Sequence, residues 1–304
     1  MPTETIPEAL VGERLDRVVS LIADVSRSLA SEWIRDGLVE VNGVVSEARS
    51  LRLSLGDEVG VPQAEADPDT ELRPDASVEF VEVYADRHLA VIDKPEGLVV
   101  HPGNGPEVAT LAHGLLHRYP EVHGVGEALR PGVVHRLDKG TSGLLVIART
   151  AQAYEALVDA MAQRRIRRVY RTLVWGHVGD ERGVVDAPIG RSGRDRTRMT
   201  VSSDGRDART HYQRLATFDE PDALTLLECR LETGRTHQIR VHMEAIGHPV
   251  VGDAKYHGAR GRLAMQRPFL HAFQLEFAHP VTGEHLSFES ALPDDLESVL
   301  AGLG

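Results

Sequence analysis

The chain has 304 residues, and its 34 basic and 46 acidic side chains give a formal net charge of −12 at pH 7. Its length predicts about two domains, and a composition of 41% apolar and 26% charged residues excludes a chain that is disordered throughout. A single cysteine, Cys229, excludes a disulfide framework and any zinc site built from paired cysteines. The N-terminus lacks a signal-peptide pattern and no segment reaches the ~18 apolar residues of a membrane span, so we expect a soluble cytoplasmic protein. Taken alone, the negative charge argues against a nucleic-acid partner, because polyanions repel each other.

The charge is distributed unevenly along the chain. Residues 1–80 carry a net charge of −10, whereas residues 130–214, which we call the basic segment, carry +8. Most of its cations are arginines, whose planar guanidinium group suits bidentate contact with phosphate. A solvated charged face is the alternative interpretation of such a segment. The arginines concerned are Arg164, Arg165, Arg167, Arg168, Arg171, Arg191, Arg194, Arg196, Arg198, Arg206 and Arg209.

The first predicted elements form a small module over residues 12–60. Residues 14–23 have apolar side chains at helical spacing, and a second helix is predicted to begin at Ser26 or Ser28 and to end near residue 37. The dipeptide Asn42-Gly43 between two short apolar runs is a strong signal for a hairpin turn. Two helices and a hairpin predict a thin but sufficient core.

Residues 61–77 are acidic and contain prolines, which predicts a linker. From residue 78 to residue 304, short apolar runs alternate with glycine and proline, and helices are too few for a repeated strand-helix-strand fold. We therefore expect an α+β domain with a mixed, largely antiparallel sheet. The predicted strands are 78–84, 89–92, 133–136, 143–148, 169–178, 210–218 and 224–231. The predicted helices are 109–118, 151–164 and 236–246, and 191–209 is predicted to be an exposed loop or insertion.

Two polar clusters contain the residues best suited to chemistry. The first, HRLDKGTSG at 135–143, lies between two strand-like runs, and a loop held at both ends suits a reactive carboxylate such as Asp138. The second, ETGRTHQIRVH at 232–242, combines a turn with a helix start, and Arg235 is predicted to project at the helix entry. A carboxylate close to such an arginine is held ionised and oriented.

The sequence resembles a known protein family in several motifs. HRLDKGTSGLLVIA at 135–148 is similar to the signature of pseudouridine synthases of the RluA/RluD type, which modify uridines in large-subunit ribosomal RNA and some transfer RNAs. The first module resembles the alpha-L, or S-four-type, RNA-binding domain at positions such as Arg14-Leu15-Asp16 and Val41-Asn42-Gly43. The resemblance covers nearly the whole chain. Further motifs occur in the family's order: VIDKPEGLVVHPG, APIGR, ETGRTHQIRVH, HPVVGDAKYHG and RPFLHAFQLEFAHP.

The resemblance implies a role for particular residues. Asp138 matches the catalytic aspartate, Tyr170 matches the active-site tyrosine, and Arg235 matches the arginine that pairs with the aspartate. Arg136 matches the residue that helps to extrude the target base, and Ile239 is a candidate apolar wall of the pocket. The aspartate, anionic at neutral pH, would attack the ribose or the base, or remove a ribose proton, and the residues do not decide among these routes.

The same resemblance implies the partners. We expect RNA, with ribosomal RNA favoured over transfer RNA, no membrane, a monomer, and no metal or cofactor, because the isomerisation involves neither a redox step nor an external group. At position 168 many members have lysine where this chain has arginine. Because the basic segment holds both Asp138 and Tyr170, the overall negative charge no longer argues against RNA. Contacts with RNA are expected from Arg136, Lys139, Ile239, Arg240, Arg14, Arg27, Arg168 and Arg191.

Two other functions stay open as alternatives. One is a catalytically silent RNA-binding protein, such as a ribosome-assembly factor that kept the fold, although the joint presence of Asp138, Tyr170 and Arg235 argues against it. The other is a metal-dependent hydrolase, because His113 and His117 lie four residues apart on a predicted helix. No carboxylate and histidine set of recognised spacing accompanies that pair, which favours a packing or surface role.

Overall fold

The computed structural model describes residues 1–23, 25, 27–62, 72–102, 108–260, 263 and 265–304, apart from the side chains of Ala9, Arg27 and Ser28. The chain divides into two compact units, Met1–Glu71 and Leu72–Gly304. This division falls inside the segment predicted as a linker, 61–77, of which 63–71 lie outside the described residues. Among the described residues, no helix is both long enough and apolar enough to cross a membrane.

The first unit contains two helices and a four-stranded antiparallel sheet in the order β1-β4-β2-β3. Its apolar core includes Leu15 and Val18 from the first helix and Ile34 from the second. Asn42 and Gly43 form the predicted hairpin turn with φ of 54° and 74°, the positive values that a two-residue turn of type I′ requires. The elements are α1 Leu15–Ile22, α2 Arg27–Arg35, β1 Thr3–Thr5, β2 Glu40–Val41, β3 Val44–Val45 and β4 Glu58–Gly60. Of the two predicted helix starts, Ser26 lies outside the described residues, and α2 begins at the residue after it.

The second unit contains four helices and thirteen strands in its described part. The helices are α3 Leu111–Arg118, α4 Ala151–Ala162, α5 Gln238–Ala245 and α6 Asp294–Ala301. The strands are β5 Val81–Ala85, β6 Leu89–Lys94, β7 Gly126–Glu127, β8 Arg130–Pro131, β9 Ser142–Ala148, β10 Arg167–Trp175, β11 Arg182–Asp186, β12 Ile189–Arg191, β13 Met199–Val201, β14 Arg209–Phe218, β15 Leu224–Leu231, β16 Leu270–Ala278 and β17 His285–Glu289.

Nine of these strands form one sheet in the order β11-β14-β15-β10-β16-β9-β6-β5, with β17 paired to β16. Every pair is antiparallel except β9 with β16, which run parallel at Ser142 with His271 and at Gly143 with Ala272. A Cβ at Gly143 would lie 2.4 Å from the Ala272 carbonyl oxygen, so this close approach requires glycine. The predicted α+β class with a mixed, largely antiparallel sheet is confirmed.

Both faces of the sheet are buried. Along β6, Ala90 and Ile92 point into a core with α3 and α5, whereas Leu89 and Val91 point into a core with α4, as the alternation of a strand requires. The continuous apolar sequence of β6 reflects this burial on both sides. Such a sheet holds the ends of its strands, and the loops between them, in fixed positions.

The predicted strand 133–136 is wrong. Only Val133 forms an isolated bridge, with Ile147, after which the chain leaves the sheet. The ring of His135 then accepts a hydrogen bond from the backbone N–H of Val146 at 3.1 Å, so a side chain occupies the position of a ladder carbonyl. The exposed loop predicted at 191–209 contains a short hairpin, β12 with β13.

Candidate active site

A cleft of about 530 Å³ lies in the second unit, where the loop at 135–138 meets strand β10 and residues 231–239. Its size is typical of pockets for small ligands. Six of the sequence-predicted site residues line it together: Arg136, Asp138, Arg168, Tyr170, Arg235 and Ile239. The order of the sheet explains this convergence, because β10 lies next to β16 and β16 lies next to β9, which follows the loop.

The loop that carries Asp138 is held from its far side by two buried cations. Lys94 Nζ lies 3.5 Å from the carbonyl oxygen of Lys139, and Arg267 donates from Nη1 to the carbonyl of Gly140 at 3.3 Å. Lys94 is fully buried and Arg267 is 4% exposed. These contacts fix the backbone that directly follows Asp138 and so limit the movement of its carboxylate.

Asp138 is paired with Arg240, and the predicted pairing with Arg235 is wrong. Arg240 Nη1 donates to Asp138 Oδ2 at 3.0 Å, while its other edge binds Asp253, with Nε to Oδ2 at 2.6 Å and Nη2 to Oδ1 at 2.9 Å. Arg235 instead donates from Nε to the carbonyl oxygen of Asp207 at 2.9 Å. The reason is where the helix begins: Arg235 precedes α5, whereas Arg240 lies in its first turn.

The contact of Arg240 with RNA stays a prediction, and the structure places this side chain inside the protein. Arg240 is 8% exposed, and its guanidinium stacks on the Tyr256 ring at 4.9 Å in addition to its two carboxylate partners. Burial opposes its charge, but Asp253 and Asp138 outweigh that effect and raise the pKa of Arg240. An arginine between Ile239 and Val241 in a buried helix needs a carboxylate, and this sequence signal could have identified it.

His237 is a site residue that the sequence reasoning missed. Its backbone adopts φ 58°, which turns the chain sharply into α5 and brings Nε2 within 4.0 Å of Asp138 Oδ2. Its Nδ1 lies 2.8 Å from the Tyr256 hydroxyl, which accepts from the Met199 N–H and so can donate to Nδ1. Burial lowers the pKa of His237 to about 4, so the ring is neutral and its Nε2–H faces Asp138.

Strand β10 supplies the opposite wall of the cleft. Arg168 and Tyr170 stand two residues apart on it, at 6% and 5% exposure. Burial raises the pKa of the Tyr170 hydroxyl, so the phenol is protonated at neutral pH. Within the described part of the chain the Tyr170 hydroxyl has no hydrogen-bond partner, and Ile239 adds an apolar surface at 3% exposure. The pocket therefore offers a ring and an aliphatic side chain to a planar ligand.

The comparisons with known proteins agree with this geometry. The family model for RNA pseudouridylate synthase matches residues 88–245, and the S4 domain model matches residues 13–59. The uncharacterized RNA pseudouridine synthase YlyB of Bacillus subtilis is 41% identical over 300 residues, covering 98% of this chain and 97% of its own. Ribosomal large subunit pseudouridine synthase D of Nitrosomonas europaea is 42% identical over 307 residues, covering 98% of this chain and 87% of its own. The chain belongs to the RNA pseudouridylate synthase family.

Solved structures show the same architecture in this pseudouridine synthase family. The human protein RNA pseudouridylate synthase domain containing 1 is 28% identical, with a TM-score of 0.57, covering 73% of this chain and 86% of that chain. The human protein RNA pseudouridylate synthase domain containing 4 is 26% identical, with a TM-score of 0.56, covering 73% and 92%. The predicted family, fold and RNA-modifying enzyme class are therefore confirmed.

The entrance to the synthase cleft is marked by Arg136. Its side chain is exposed, and Nη1 lies 3.0 Å from His101 Nε2, so the guanidinium is held beside the opening rather than inside it. Lys139 is exposed but does not line the cleft. His113, which suggested a metal site, accepts from the Thr110 N–H at 3.0 Å and caps α3.

The remaining residues predicted to contact RNA lie away from the cleft. Arg14, in the S4 domain of the synthase, is partly exposed and bonds both oxygens of Asp16 at 3.1 and 2.9 Å. The side chain of Arg27 lies outside the described residues. Arg191 is exposed on β12 and donates from Nη1 to the carbonyl of Arg196 at 2.8 Å. The contacts of these residues with RNA stay predictions.

The basic segment of the synthase divides into two groups. Eight of its arginines are paired with carboxylates: Arg130, Arg149, Arg164, Arg165, Arg167, Arg171, Arg198 and Arg209. The cleft nevertheless keeps an excess of positive charge, because the carboxylates on its walls are only Asp138 and Glu232 among the described residues. Facing them are Arg130, Arg136, Arg164, Arg168, Arg206 and Arg235. This excess suits a polyanionic substrate.

Proposed function

We propose that this synthase isomerises specific uridines of large-subunit ribosomal RNA, with Asp138 as the catalytic carboxylate. The observation that carries the proposal is the asymmetric environment of Asp138. Arg240 and His237 both face Oδ2, whereas Oδ1 has no hydrogen-bond partner within the described residues. An oriented carboxylate with one uncommitted oxygen, opposite the Tyr170 ring, is suited to react with a nucleotide between them.

The reaction breaks one bond between the ribose and the base and makes another. The bond from ribose C1′ to N1 of uracil breaks, the base rotates, and C1′ joins C5; the proton on C5 leaves and N1 gains one, so no atom is added. Oδ1 of Asp138 serves each of the three open routes: attack on the ribose, attack on the base, or removal of a ribose proton. Arg240 holds the carboxylate in one orientation in all three.

The positions of the neighbouring side chains in the cleft indicate what each of them does. A uridine stacked in RNA must be extruded at a cost of about a few kcal/mol, and Arg136 at the entrance fills the vacated position. Tyr170 stacks on the uracil, with Ile239 as the apolar wall beside it. Arg235 contributes positive charge at the rim. The S4 domain adds binding surface, with Arg14 and Arg27 as its contributing cations.

The choice of ribosomal RNA rests on the relatives. Proteins named ribosomal large subunit pseudouridine synthase D from Nitrosomonas europaea and Vibrio parahaemolyticus match this chain over 98% and 99% of its length. No observation favours the catalytically silent alternative, since Asp138, Tyr170 and Arg240 are assembled around one cleft. A pseudouridine map of ribosomal RNA from a deletion strain names the target uridines and separates ribosomal from transfer RNA.

We place the synthase in the cytoplasm, where ribosomal RNA is assembled, and expect it to act as a monomer. Light scattering on the eluting protein measures its mass in solution, and a dimer would contradict the second expectation.

The central test replaces Asp138 by asparagine, which keeps the shape and removes the charge. Asp138→Asn should form no pseudouridine in RNA containing the target uridine while still binding that RNA. Asp159→Asn, which alters an exposed carboxylate on α4 paired with Arg165, serves as the matched control and should retain full activity. Full activity in Asp138→Asn would overturn the assignment.

A further inference from the structure

Arg168 differs from the other buried arginines of the second unit. Arg240 and Arg267 are each paired with a carboxylate, Asp253 and Asp295. Arg168 is equally buried, at 6% exposure, yet its guanidinium has no ion pair or hydrogen bond with any described residue, and its Nε is fully enclosed. A buried charge without a partner destabilises the folded protein, so this arrangement calls for a ligand.

The described surroundings of Arg168 supply no carboxylate to compensate its charge. Burial lowers the pKa of Arg168, which reflects the lack of a compensating charge. Glu232, the acidic wall residue near it, is already bound by Arg164 at 2.7 Å and by His211 at 2.5 Å. Gly234 packs against the guanidinium, since a Cβ there would lie 2.8 Å from Nη1 of Arg168. The missing side chain gives the guanidinium its space within the cleft.

Arg168 also lies at the right place along the chain. It precedes Tyr170 by two residues on β10, and both side chains line the same cleft. A nucleotide whose base stacks on Tyr170 therefore has its sugar and phosphate close to the part of β10 that carries Arg168. A guanidinium group binds phosphate with two parallel N–H donors, and its full charge is matched by a phosphodiester better than by a neutral carbonyl oxygen.

We propose that Arg168 binds the phosphate adjoining the target uridine when the base occupies the pocket between Asp138 and Tyr170. The proposal rests on the proposed function and adds an anion site inside the cleft, distinct from the exposed arginines of the basic segment. It assigns Arg168 to fixing the extruded nucleotide, while Asp138 performs the chemistry.

The test measures binding in the Asp138→Asn background, so that it does not depend on turnover. Arg168→Met in that background should weaken binding of RNA containing the target uridine on the order of tenfold to a hundredfold. Its urea unfolding midpoint should be unchanged or higher, because the change removes an unpaired buried charge. Arg165→Met, an exposed arginine paired with Asp159, is the matched control and should bind normally.

A second measurement identifies the ligand atom. Synthetic RNAs carrying one neutral methylphosphonate, 5′ or 3′ of the target uridine, should bind the Arg168-containing protein more weakly at one of these positions. The affinity of Arg168→Met for RNA should not fall further when the methylphosphonate is placed at that position. Additive losses would overturn the proposal, as would loss of discrimination between uridine and cytidine in Arg168→Met, which would assign Arg168 to a base carbonyl. Activity of the protein with Asp138 intact is scored separately and tests the proposed function alone.

Discussion

Arg240 binds the carboxylate of Asp138 and the fully buried carboxylate of Asp253 at the same time. One edge of its guanidinium donates to Asp138 Oδ2 at 3.0 Å, and the other makes two bonds with Asp253. Asp253 in turn accepts from the backbone N–H groups of Lys255 and Tyr256 at 3.0 and 3.2 Å, which fix its position. The orientation of Asp138 is thus set from the turn at residues 253–256.

Replacing Arg240 should therefore damage both stability and activity. Arg240→Met leaves Asp253 buried without its partner and should lower the free energy of unfolding by about 3–5 kcal/mol. Arg240→Lys keeps the charge but cannot bridge two carboxylates, and kcat/KM should fall on the order of 10²-fold with a smaller loss of stability. Urea unfolding and initial rates of pseudouridine formation measure the two effects.

Arg235 provides the contrast, since it lines the cleft but, among the described residues, its side chain donates a hydrogen bond only to a backbone carbonyl. Arg235→Met should raise KM for RNA by about tenfold or less, with kcat close to that of the unaltered enzyme, because the change removes rim charge and not carboxylate orientation. Steady-state kinetics at fixed salt separate the two parameters. A loss of kcat equal to that of Arg240→Lys would show that Arg235 reaches the reacting carboxylate after all.

Sequence patterns predicted most strands of the large sheet, but they missed β16, which lies in its interior between β10 and β9. The continuous or alternating apolar runs of β9, β14 and β15 gave bounds within one residue of the structure. The shorter strand β17 was missed although Leu286 and Phe288 alternate with polar residues, because five residues at the end of a sheet give a weak signal. Helix α6, eight residues long and close to the C-terminus, was also missed.

The site was predicted in part. Asp138 and Tyr170 sit in linear motifs, and the structure brings them to one cleft. The partner of Asp138 could not be chosen from the motif alone, because the choice between Arg235 and Arg240 depends on where α5 begins. That start is set by the left-handed backbone of His237, a conformation that no pattern signals in a non-glycine residue.

His237 should make the stability of the protein depend on pH below neutrality. Burial lowers its pKa to about 4, against about 6.5 in the unfolded chain, so the unfolded state binds one more proton between these values. The free energy of unfolding should fall as pH drops from 6.5 to 4, by about 1.4 kcal/mol per pH unit from this residue. His237→Gln should reduce that slope by about this amount in urea unfolding at pH 6, 5.5, 5 and 4.5.

The control for this measurement is His285→Gln. His285 is exposed on β17 and provides the surface substitution with which the slope of His237→Gln is compared. An equal slope in His237→Gln and the unaltered protein would mean that the His237 ring is protonated in the folded state and pairs with Asp138 as a cation.

Tyr170→Phe should separate stacking from hydrogen bonding. Because burial keeps the phenol protonated, Tyr170 enters the reaction as a ring surface and a hydrogen-bond donor, and it can take the C5 proton only while releasing its own. The phenylalanine variant keeps the ring, so RNA affinity should be nearly unchanged, while turnover should fall by about 10²-fold or more. Release of tritium from 5-tritiated uridine in single-turnover experiments reports this step directly, and unchanged release would restrict Tyr170 to stacking.

The two groups of arginines in the basic segment should differ in their effect on salt dependence. Arg194 and Arg196 are exposed, and in the described structure their side chains form no ion pair, whereas Arg165 is bound to Asp159 at 2.6 Å. Each arginine that contacts a phosphate releases counterions, so its replacement by alanine should lower the slope of log K against log salt by about 0.7 on a single strand. We expect that decrease for Arg194→Ala and for Arg196→Ala, and none for Arg165→Ala, because Arg165 is already neutralised. Binding titrations at salt concentrations from about 50 to about 200 mM measure the difference. If Arg194→Ala and Arg196→Ala, like Arg165→Ala, have the same slope as the unaltered protein, the 191–209 stretch is a solvated face. The guanidinium groups that line the cleft then account for the attraction to RNA.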